Sequence, residues 1–183
     1  INTVVRGARL KKFYLRSAAT GVGKSRAIAA DVCNIGCSQM YDLEQQLWVT
    51  LGKCEPVTYI ATEQDLSEIQ TMCLAFLSGV NEEHILTNTY YAGERERVIK
   101  ATQLLKQSKI YFESLPDFSL KDIENTIIRG IREHDTRYIF LDYIHTSMRI
   151  LEEITKRSGG VRLREDNILF MMSIRLKDIC NQY

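Results

Sequence analysis

Short runs of β-branched and aromatic residues alternate along the chain with longer runs in which apolar residues recur at helical spacing. The short runs predict four strands, at residues 12–18, 57–62, 110–112 and 138–142. In the last of these, residues 138–141 are continuously apolar, a pattern typical of a strand that is buried on both faces.

The longer runs predict six helices, because their apolar residues recur every three to four positions and form one stripe. Ser119 is well placed to cap the fifth of them. Residues 37–56 are the least readable part of the chain, although Leu43, Leu47 and Trp48 would share one face of a helix there. The predicted helices cover residues 25–36, 65–78, 82–86, 94–108, 119–131 and 165–182.

Strands that alternate with helices imply an α/β fold, with a mainly parallel sheet and helices on both faces. In such sheets ligands bind at the carboxyl ends of the strands. Three predicted strands lead into residues that can carry chemistry: the segment 18–25, Glu63 and Asp142. We therefore expect a single domain whose functional site lies at this edge of the sheet.

Composition narrows the class of protein without defining it. The 24 Lys and Arg residues nearly balance the 23 Asp and Glu residues, so a nucleic-acid site would have to be a local patch. The five cysteines show no regular CxxC pairing, which is typical of reduced intracellular thiols, and Cys33 and Cys37 are expected to be buried rather than metal-bound. No apolar run approaches the 18 residues of a membrane span and no signal peptide opens the chain, so we expect a cytoplasmic protein.

The segment from Ala18 to Ser25 has the spacing of a phosphate loop, with alanine where the common motif has its first glycine. Gly21 and Gly23 would let the backbone N–H groups point at phosphate oxygens, Lys24 would reach the β- and γ-phosphates, and Ser25 would bind Mg²⁺. The alternative is a glycine-bearing turn that ends in Lys-Ser. The predicted ATP contacts are Thr20, Gly21, Val22, Gly23, Lys24, Ser25 and Arg26.

Two carboxylates follow predicted strands. Asp142 ends an apolar strand, as the Mg²⁺-organising aspartate of phosphate-loop ATPases does, although a strand-end aspartate can also be a helix cap. Glu63 is a candidate base for the attacking water, and its position at a strand end favours it over the nearby Asp65 and Glu68. We expect Glu63 to be catalytic and Asp142 to assist Ser25 in holding the metal.

Residues 156–164 carry four cations beside two glycines. This segment is either a solvated surface loop or a mobile loop that holds single-strand phosphates. The histidines are weak signals, and His145, which follows the Asp142 strand, has no visible partner in the sequence. The predicted DNA contacts are Lys156, Arg157, Arg162 and Arg164.

Taken together, these segments resemble the C-terminal ATPase domain of the DnaB-type replicative helicases, within the RecA-like group. The resemblance covers roughly residues 6 to 183 and rests on SAATGVGKS, YIATEQ, IENTIIRGIREHDTRYIFLDYIHT and RLKDICNQY, which occur in that family's order. It implies a RecA-like P-loop fold and a homo-hexameric ring that uses ATP and Mg²⁺ to move on single-stranded DNA.

The resemblance also divides the chain into working parts. It implies that Lys24 and Ser25 hold phosphate and Mg²⁺, that Glu63 is the catalytic carboxylate, and that Asp142 is the Mg²⁺-associated one. Within a single domain of residues 1–183, the expected parts are the strand and phosphate loop at 12–25, the strand and catalytic carboxylate at 57–63, the Walker B strand at 138–142, and the DNA loop at 155–164.

The chain departs from the family pattern in three places. Residues 61–64 read Ala-Thr-Glu-Gln where the family often has Ser-Leu-Glu-Met, and Met72 stands where an arginine is common, which suggests a phage or mobile-element branch. The chain starts at Ile1 and stops at Tyr183, before the family's γ-phosphate sensor, arginine finger and second DNA loop. We therefore expect a domain fragment that by itself binds ATP weakly and hydrolyses it slowly.

The leading hypothesis is the motor core of an ATP-dependent DNA helicase or translocase. A RecA-like ATPase for loading or recombination would share the nucleotide site without unwinding DNA. A nucleotide-gated binding module would use ATP only to order an interaction surface. A small-molecule kinase is disfavoured because the sequence has no lid-like arginine cluster.

Overall fold

A computed structural model of the protein describes residues 9–19, 21–157 and 164–183, with the backbone alone at 154 and 157. Its helices are α1 (Lys24–Gly36), α2 (Leu66–Ser78), α3 (Glu82–Thr87), α4 (Glu94–Gln107), α5 (Leu120–His134), α6 (Met148–Arg157) and α7 (Glu165–Gln182). Its strands are β1 (Gln39–Asp42), β2 (Leu47–Thr50), β3 (Val57–Ala61), β4 (Ile110–Ser114) and β5 (Tyr138–Asp142).

The central sheet has the order β4-β3-β5, and both pairings are parallel. All five residues of β3 are buried, as its β-branched and aromatic composition predicts for a central strand. In register, Ala61 pairs with Ser114 on one side and with Asp142 on the other. The carboxyl ends of the three strands therefore lie at one edge, which confirms the α/β class with a mainly parallel central sheet.

Helices cover both faces of the sheet because successive β3 side chains point in opposite directions. Tyr59 and Ala61 belong to a buried cluster with residues of α1, α2 and α4, whereas Ile60 belongs to a second cluster with residues of α5, α6 and α7. Helix α5 lies so close to β3 that a Cβ atom on Gly130 would come within 2.8 Å of Thr58 Oγ1. Cys33 and Cys37 are fully buried in the first cluster, as expected.

The predicted first strand is wrong. Residues 12–18 form no strand in the structure, and Tyr14 and Leu15 are exposed. Only Phe13 packs against the second cluster. A strand needs a partner edge and a buried face, and three apolar residues between cations supply neither here.

The predicted helical face of Leu43, Leu47 and Trp48 is also wrong, because the segment is an antiparallel hairpin of β1 and β2. Asp42 Oδ1 accepts hydrogen bonds from the backbone N–H groups of Glu44 and Gln45, at 2.8 and 2.9 Å, and so sets the turn. An aspartate that sets a turn is a local sequence signal for a hairpin, but the spacing of the apolar residues favoured a helix instead.

Two further expectations need correction. Strand β5 is half-buried rather than buried on both faces, because in the described part of the chain it pairs with β3 alone. Residues 155–157, which were expected to begin a loop, belong instead to α6, and residues 158–163 lie outside the described part. The sequence did not predict α6, because charged residues interrupt its apolar stripe, which includes the buried Ile150. No helix of the described residues is long and apolar enough to cross a membrane.

Candidate nucleotide site at the carboxyl ends of the strands

The backbone before α1 turns at two glycines. Gly21 has a φ of +79° and Gly23 a φ of +90°, values that side chains with a Cβ rarely adopt. Apart from each glycine and its chain neighbours, no atom of the described residues lies within 4 Å of where a Cβ would sit, so the glycines serve the turn and leave open space above it.

The N-terminus of α1 is open to an anion. Gly23 is its N-cap, no side-chain hydrogen bond caps it among the described residues, and the first turn has no acidic residue. Free N–H groups and the positive end of the helix dipole favour an anion at such a terminus. The geometry therefore fits the phosphate group that the sequence predicts at this turn.

Lys24 lies across the mouth of this turn. Its Nζ donates to the carbonyl oxygens of Ala18 at 2.9 Å and Ala19 at 3.4 Å. These carbonyl groups belong to exposed residues, so the ammonium group is held near solvent rather than in the core. Val22 is exposed on the same turn, and Thr20 lies outside the described residues.

Arg26 pairs with a charged side chain, whereas Lys24 donates to backbone carbonyl groups. Its guanidinium makes two hydrogen bonds to the Glu82 carboxylate of α3, at 2.7 and 2.9 Å. The hydrogen bond to Glu82 and then the negative charge of Glu82 raise the pKa of Arg26. A contact between Arg26 and a nucleotide would have to compete with this ion pair.

Asp142 is buried at the end of β5 on the sheet face that α1 covers. Its Oδ2 accepts a hydrogen bond of 2.6 Å from the hydroxyl of Tyr59, two residues before the end of β3. Burial and this hydrogen bond raise the pKa of Tyr59, which keeps the tyrosine as donor and the aspartate as acceptor. The carboxylate is therefore held in a fixed orientation.

Glu63 follows β3 by two residues, and its side chain is exposed. The pKa of the Tyr143 hydroxyl is raised by burial, then by the charge of Glu63 and a hydrogen bond to it, and last by the charge of Asp142. The Tyr143 hydroxyl is therefore near both carboxylates. The structure brings Glu63 and Asp142 to the same edge of the sheet, as the sequence predicted.

Thr62, Tyr143 and His145 are the site residues that the sequence reasoning missed. The hydroxyl of Thr62 lies within hydrogen-bond distance of Asp142 O, of both backbone polar groups of Tyr143 and of His145 Nδ1. The peptide bond between Asp142 and Tyr143 is cis. A polar residue at the end of an apolar strand was the only sequence signal for Thr62.

The structure describes only some of the four residues that are predicted to contact DNA. Lys156 is exposed on the last turn of α6, and the side chain of Arg157 and all of Arg162 lie outside the described residues. Arg164 is the N-cap of α7 and makes an exposed ion pair of 3.1 Å with Asp166.

A divalent metal at this edge would depend on the nucleotide. Within the described residues, no group of three or more His, Cys, Asp or Glu side chains could hold a metal by itself. Mg²⁺ commonly keeps several waters and takes one or two protein oxygens together with phosphate oxygens. One hydroxyl from Ser25 and one carboxylate from Asp142 fit that kind of site.

The family is established by its sequence profile. The profile of the DnaB-like helicase C terminal domain matches residues 1–179, and the chain belongs to this family. It is therefore a helicase-type ATPase domain with a RecA-like fold.

Particular relatives agree with this assignment. The SPbeta prophage-derived uncharacterized protein YorI of Bacillus subtilis (strain 168) is 44% identical over 183 residues, which is 100% of this chain and 36% of YorI. The chain thus spans about a third of the length of this relative, whose prophage origin supports the predicted phage branch.

Two solved structures share the fold. One, described as an ATPase domain, superposes with a TM-score of 0.63 at 13% identity, over 89% of this chain and 50% of that chain. A DnaB-like replicative helicase, described with its interactions with primase, superposes with a TM-score of 0.72 at 14% identity, over 99% of this chain and 39% of that chain.

Proposed function

We propose that this chain is the ATP-hydrolysing motor core of a DNA helicase that translocates on single-stranded DNA. The observation that carries the proposal is that three parts lie towards the carboxyl edge of the sheet, since the end of α1 at Gly36 approaches Val57 and Ile110 at the opposite edge. The glycine turn before α1 offers free N–H groups, Glu63 extends from β3 into solvent, and Asp142 is held at the end of β5.

ATP would bind with its phosphates at the N-terminus of α1. Backbone N–H groups of residues 20–24 would bind the phosphate oxygens, and Lys24 would exchange its two carbonyl contacts for a phosphate contact. Ser25 and Asp142 would hold Mg²⁺, which when bound supplies positive charge against the phosphates. Arg26 would join them only by leaving Glu82.

Glu63 would accept the proton of the attacking water. Its exposure suits this role, because a water molecule needs access to the base. The adjacent Tyr143 hydroxyl would limit the orientations of the carboxylate. Asp142 is buried and already accepts a hydrogen bond from Tyr59, which favours it as a fixed metal partner rather than a mobile base.

The cations of residues 156–164 would contact the phosphates of single-stranded DNA, and the full-length protein would work as a homo-hexameric ring. Lys156 and Arg164 lie at the two ends of this segment, and both are exposed. Phosphate contacts of this kind carry no base information, so the motor would move on any sequence.

ATP turnover by the full-length protein, with and without single-stranded DNA, tests this proposal. Glu63→Gln should retain ATP binding and lower turnover at least about a hundredfold, in the range expected for a lost general base. Glu68→Gln is the matched control, because Glu68 is an exposed carboxylate in the first turn of α2. Turnover of Glu63→Gln at the parent rate would move the base elsewhere, with Asp65 next in line.

Strand displacement distinguishes the helicase from the alternatives. DNA-stimulated ATP hydrolysis without unwinding would favour a loading or recombination ATPase. ATP binding without any hydrolysis would favour a nucleotide-gated binding module.

A further inference from the structure

The five residues between β5 and α6 touch three parts of the molecule at once. Residues 143–147 follow Asp142, and α6 begins at Met148. Through their hydrogen bonds they reach the end of β3, the start of α6 and the start of α7. This short connection therefore links the end of β3 to the first turns of α6 and α7.

At the β3 end, the path begins at the hydroxyl of Thr62. Tyr143 N donates to Thr62 Oγ1 at 2.9 Å, while Asp142 O at 3.1 Å, Tyr143 O at 2.9 Å and His145 Nδ1 at 3.4 Å also lie within reach. A hydroxyl has one proton to donate and two lone pairs to accept with. The single proton of Thr62 thus has two carbonyl acceptors, and a third in Nδ1 when that nitrogen carries no proton.

Because Thr62 has one hydroxyl proton and several acceptors, two hydrogen-bond arrangements with His145 are available. In one, His145 Nδ1–H donates to Thr62, and Thr62 donates to a carbonyl oxygen. In the other, His145 carries its proton on Nε2, and Thr62 donates to Nδ1. Energetic coupling between sites requires an element with two such arrangements that both sites can bias.

The imidazole of His145 contacts two aromatic rings. It meets the ring of the buried Phe118 edge-on at 5.1 Å between centroids, and the ring of Tyr143 at 5.1 Å. Tyr143 also lies against the Glu63 carboxylate. A shift at His145 would therefore reach the proposed base through Thr62, which precedes it, and through Tyr143.

At the other end, the connection contacts the first turns of α6 and α7. Ser147 donates to Phe118 O and accepts from Ile150 N at 3.2 Å, which fixes the first turn of α6. Thr146 Oγ1 donates to Glu165 Oε1 at 2.9 Å, at the first residue of α7. The helix that leads into the basic segment and the helix that leads out of it are thus both tied to the residues beside His145.

We propose that Thr62 and His145 are positioning residues for Glu63 and that their contact couples the ATP site to helices α6 and α7. The inference rests on the proposed function and adds a regulatory element to it. Thr62 stands where the resemblance to DnaB-type helicases expects leucine, so this polar contact belongs to this chain rather than to the common pattern.

The test is steady-state ATP turnover by the full-length protein at saturating ATP, with and without single-stranded DNA. Thr62→Val and His145→Phe each remove one half of the contact, and the phenylalanine keeps the ring packing against Phe118 and Tyr143. Each variant should lower the ratio of DNA-stimulated to unstimulated turnover by at least about fivefold, the lower end of site-to-site coupling. The double variant should lower it no further than the single ones. Thr62→Ser, which restores the hydroxyl, should recover the parent ratio.

Thr58→Val is the matched control. Thr58 lies on the same strand, is equally buried, and shares a hydrogen bond of 2.9 Å with Thr136 at the opposite edge of the sheet. It should lose thermal stability as Thr62→Val does, yet keep the parent ratio of DNA stimulation.

Several results would overturn the coupling. They are parent stimulation in His145→Phe, additive losses in the double variant, or an equal loss of stimulation in Thr58→Val. If Thr62→Val does not fold, His145→Phe decides by the same ratio. A parent protein that shows no DNA-stimulated turnover would instead refute the proposed function itself.

Discussion

At the scale of single residues, the side chains of the site differ in how firmly they are held. Asp142 is fixed by the Tyr59 hydroxyl, and Arg26 is fixed by Glu82. Lys24 and Glu63 have looser surroundings near solvent. We expect the residues that change their contacts during ATP hydrolysis to be Lys24 and Glu63.

Lys24→Ala tests this division directly. It should weaken ATP binding by about tenfold or more, because a hydrogen bond to a charged group contributes about 1.5–3 kcal/mol. The melting temperature should hardly change, since the hydrogen bonds of Nζ within the described residues go to carbonyl groups of exposed residues. Titration with a fluorescent ATP analogue and thermal unfolding measure the two effects.

Lys12→Ala removes an exposed cation from the preceding segment and serves as the control. Parent ATP affinity in Lys24→Ala would refute the assignment of residues 18–25 as a phosphate loop.

At the scale of secondary-structure elements, the sequence predicted best those that carry their own signals. Helix α5 has an apolar stripe and a capping box, in which Ser119 Oγ accepts from Asp122 N at 3.2 Å and Asp122 Oδ2 accepts from Ser119 N at 2.8 Å. Residues 12–18 have no such signal, because a strand depends on a partner that lies elsewhere in the chain.

Ser119→Ala should lower the free energy of unfolding by about 1 kcal/mol, the usual cost of losing an N-cap side chain. Chemical denaturation measures the loss, and Ser119→Asp should restore most of it because aspartate is also a good N-cap. An unchanged unfolding midpoint in Ser119→Ala would show that the cap is redundant with the packing of α5.

The stability lost in Ser119→Ala should depend on pH, because the capping box contains the titratable carboxyl group of Asp122. The hydrogen bond from Ser119 N, followed by that from the Ser119 hydroxyl, lowers the pKa of Asp122 in the folded protein. A carboxyl with a depressed folded pKa stabilises the fold above its unfolded pKa, and this contribution disappears as the pH falls through the folded pKa. The difference between parent and Ser119→Ala should therefore shrink in acid, below about pH 4.

At the scale of the whole molecule, the sequence could predict where the site lies but not how its residues contact each other. Glu63 and Asp142 each follow a recognisable strand, and parallel pairing brings strand ends together. The bonds of Asp142 to Tyr59 and of Thr62 to His145 depend on strand register, which no local pattern encodes. His145 had no visible partner in the sequence for this reason.

The DNA contact also belongs to the whole molecule. Replacing Lys156, Arg157, Arg162 and Arg164 by neutral residues in the full-length protein should weaken binding to every single-stranded sequence alike. Each lost phosphate contact should flatten the plot of log affinity against log salt by about 0.7. ATP affinity without DNA should stay close to that of the parent.

Fluorescence anisotropy across a salt series measures this effect, and neutralising Lys106 and Lys109 near the start of β4 provides a control of the same kind. A parent salt slope in the fourfold variant would mean that residues 156–164 form only a solvated surface loop.

The order of the strands along the chain also determines when this site can form during synthesis. The hydroxyl of Tyr59 and the carboxylate of Asp142 are 83 residues apart in the chain, yet they share one hydrogen bond across paired strands. Contacts of such long range are slow to form, because the chain between them must first be closed into a loop. During synthesis, the turn before α1 and the strand before Glu63 leave the ribosome well before β5 exists. The nucleotide site therefore cannot be completed until β5 has been made, and a chain interrupted before residue 142 would carry the loop and the base without the carboxylate of Asp142.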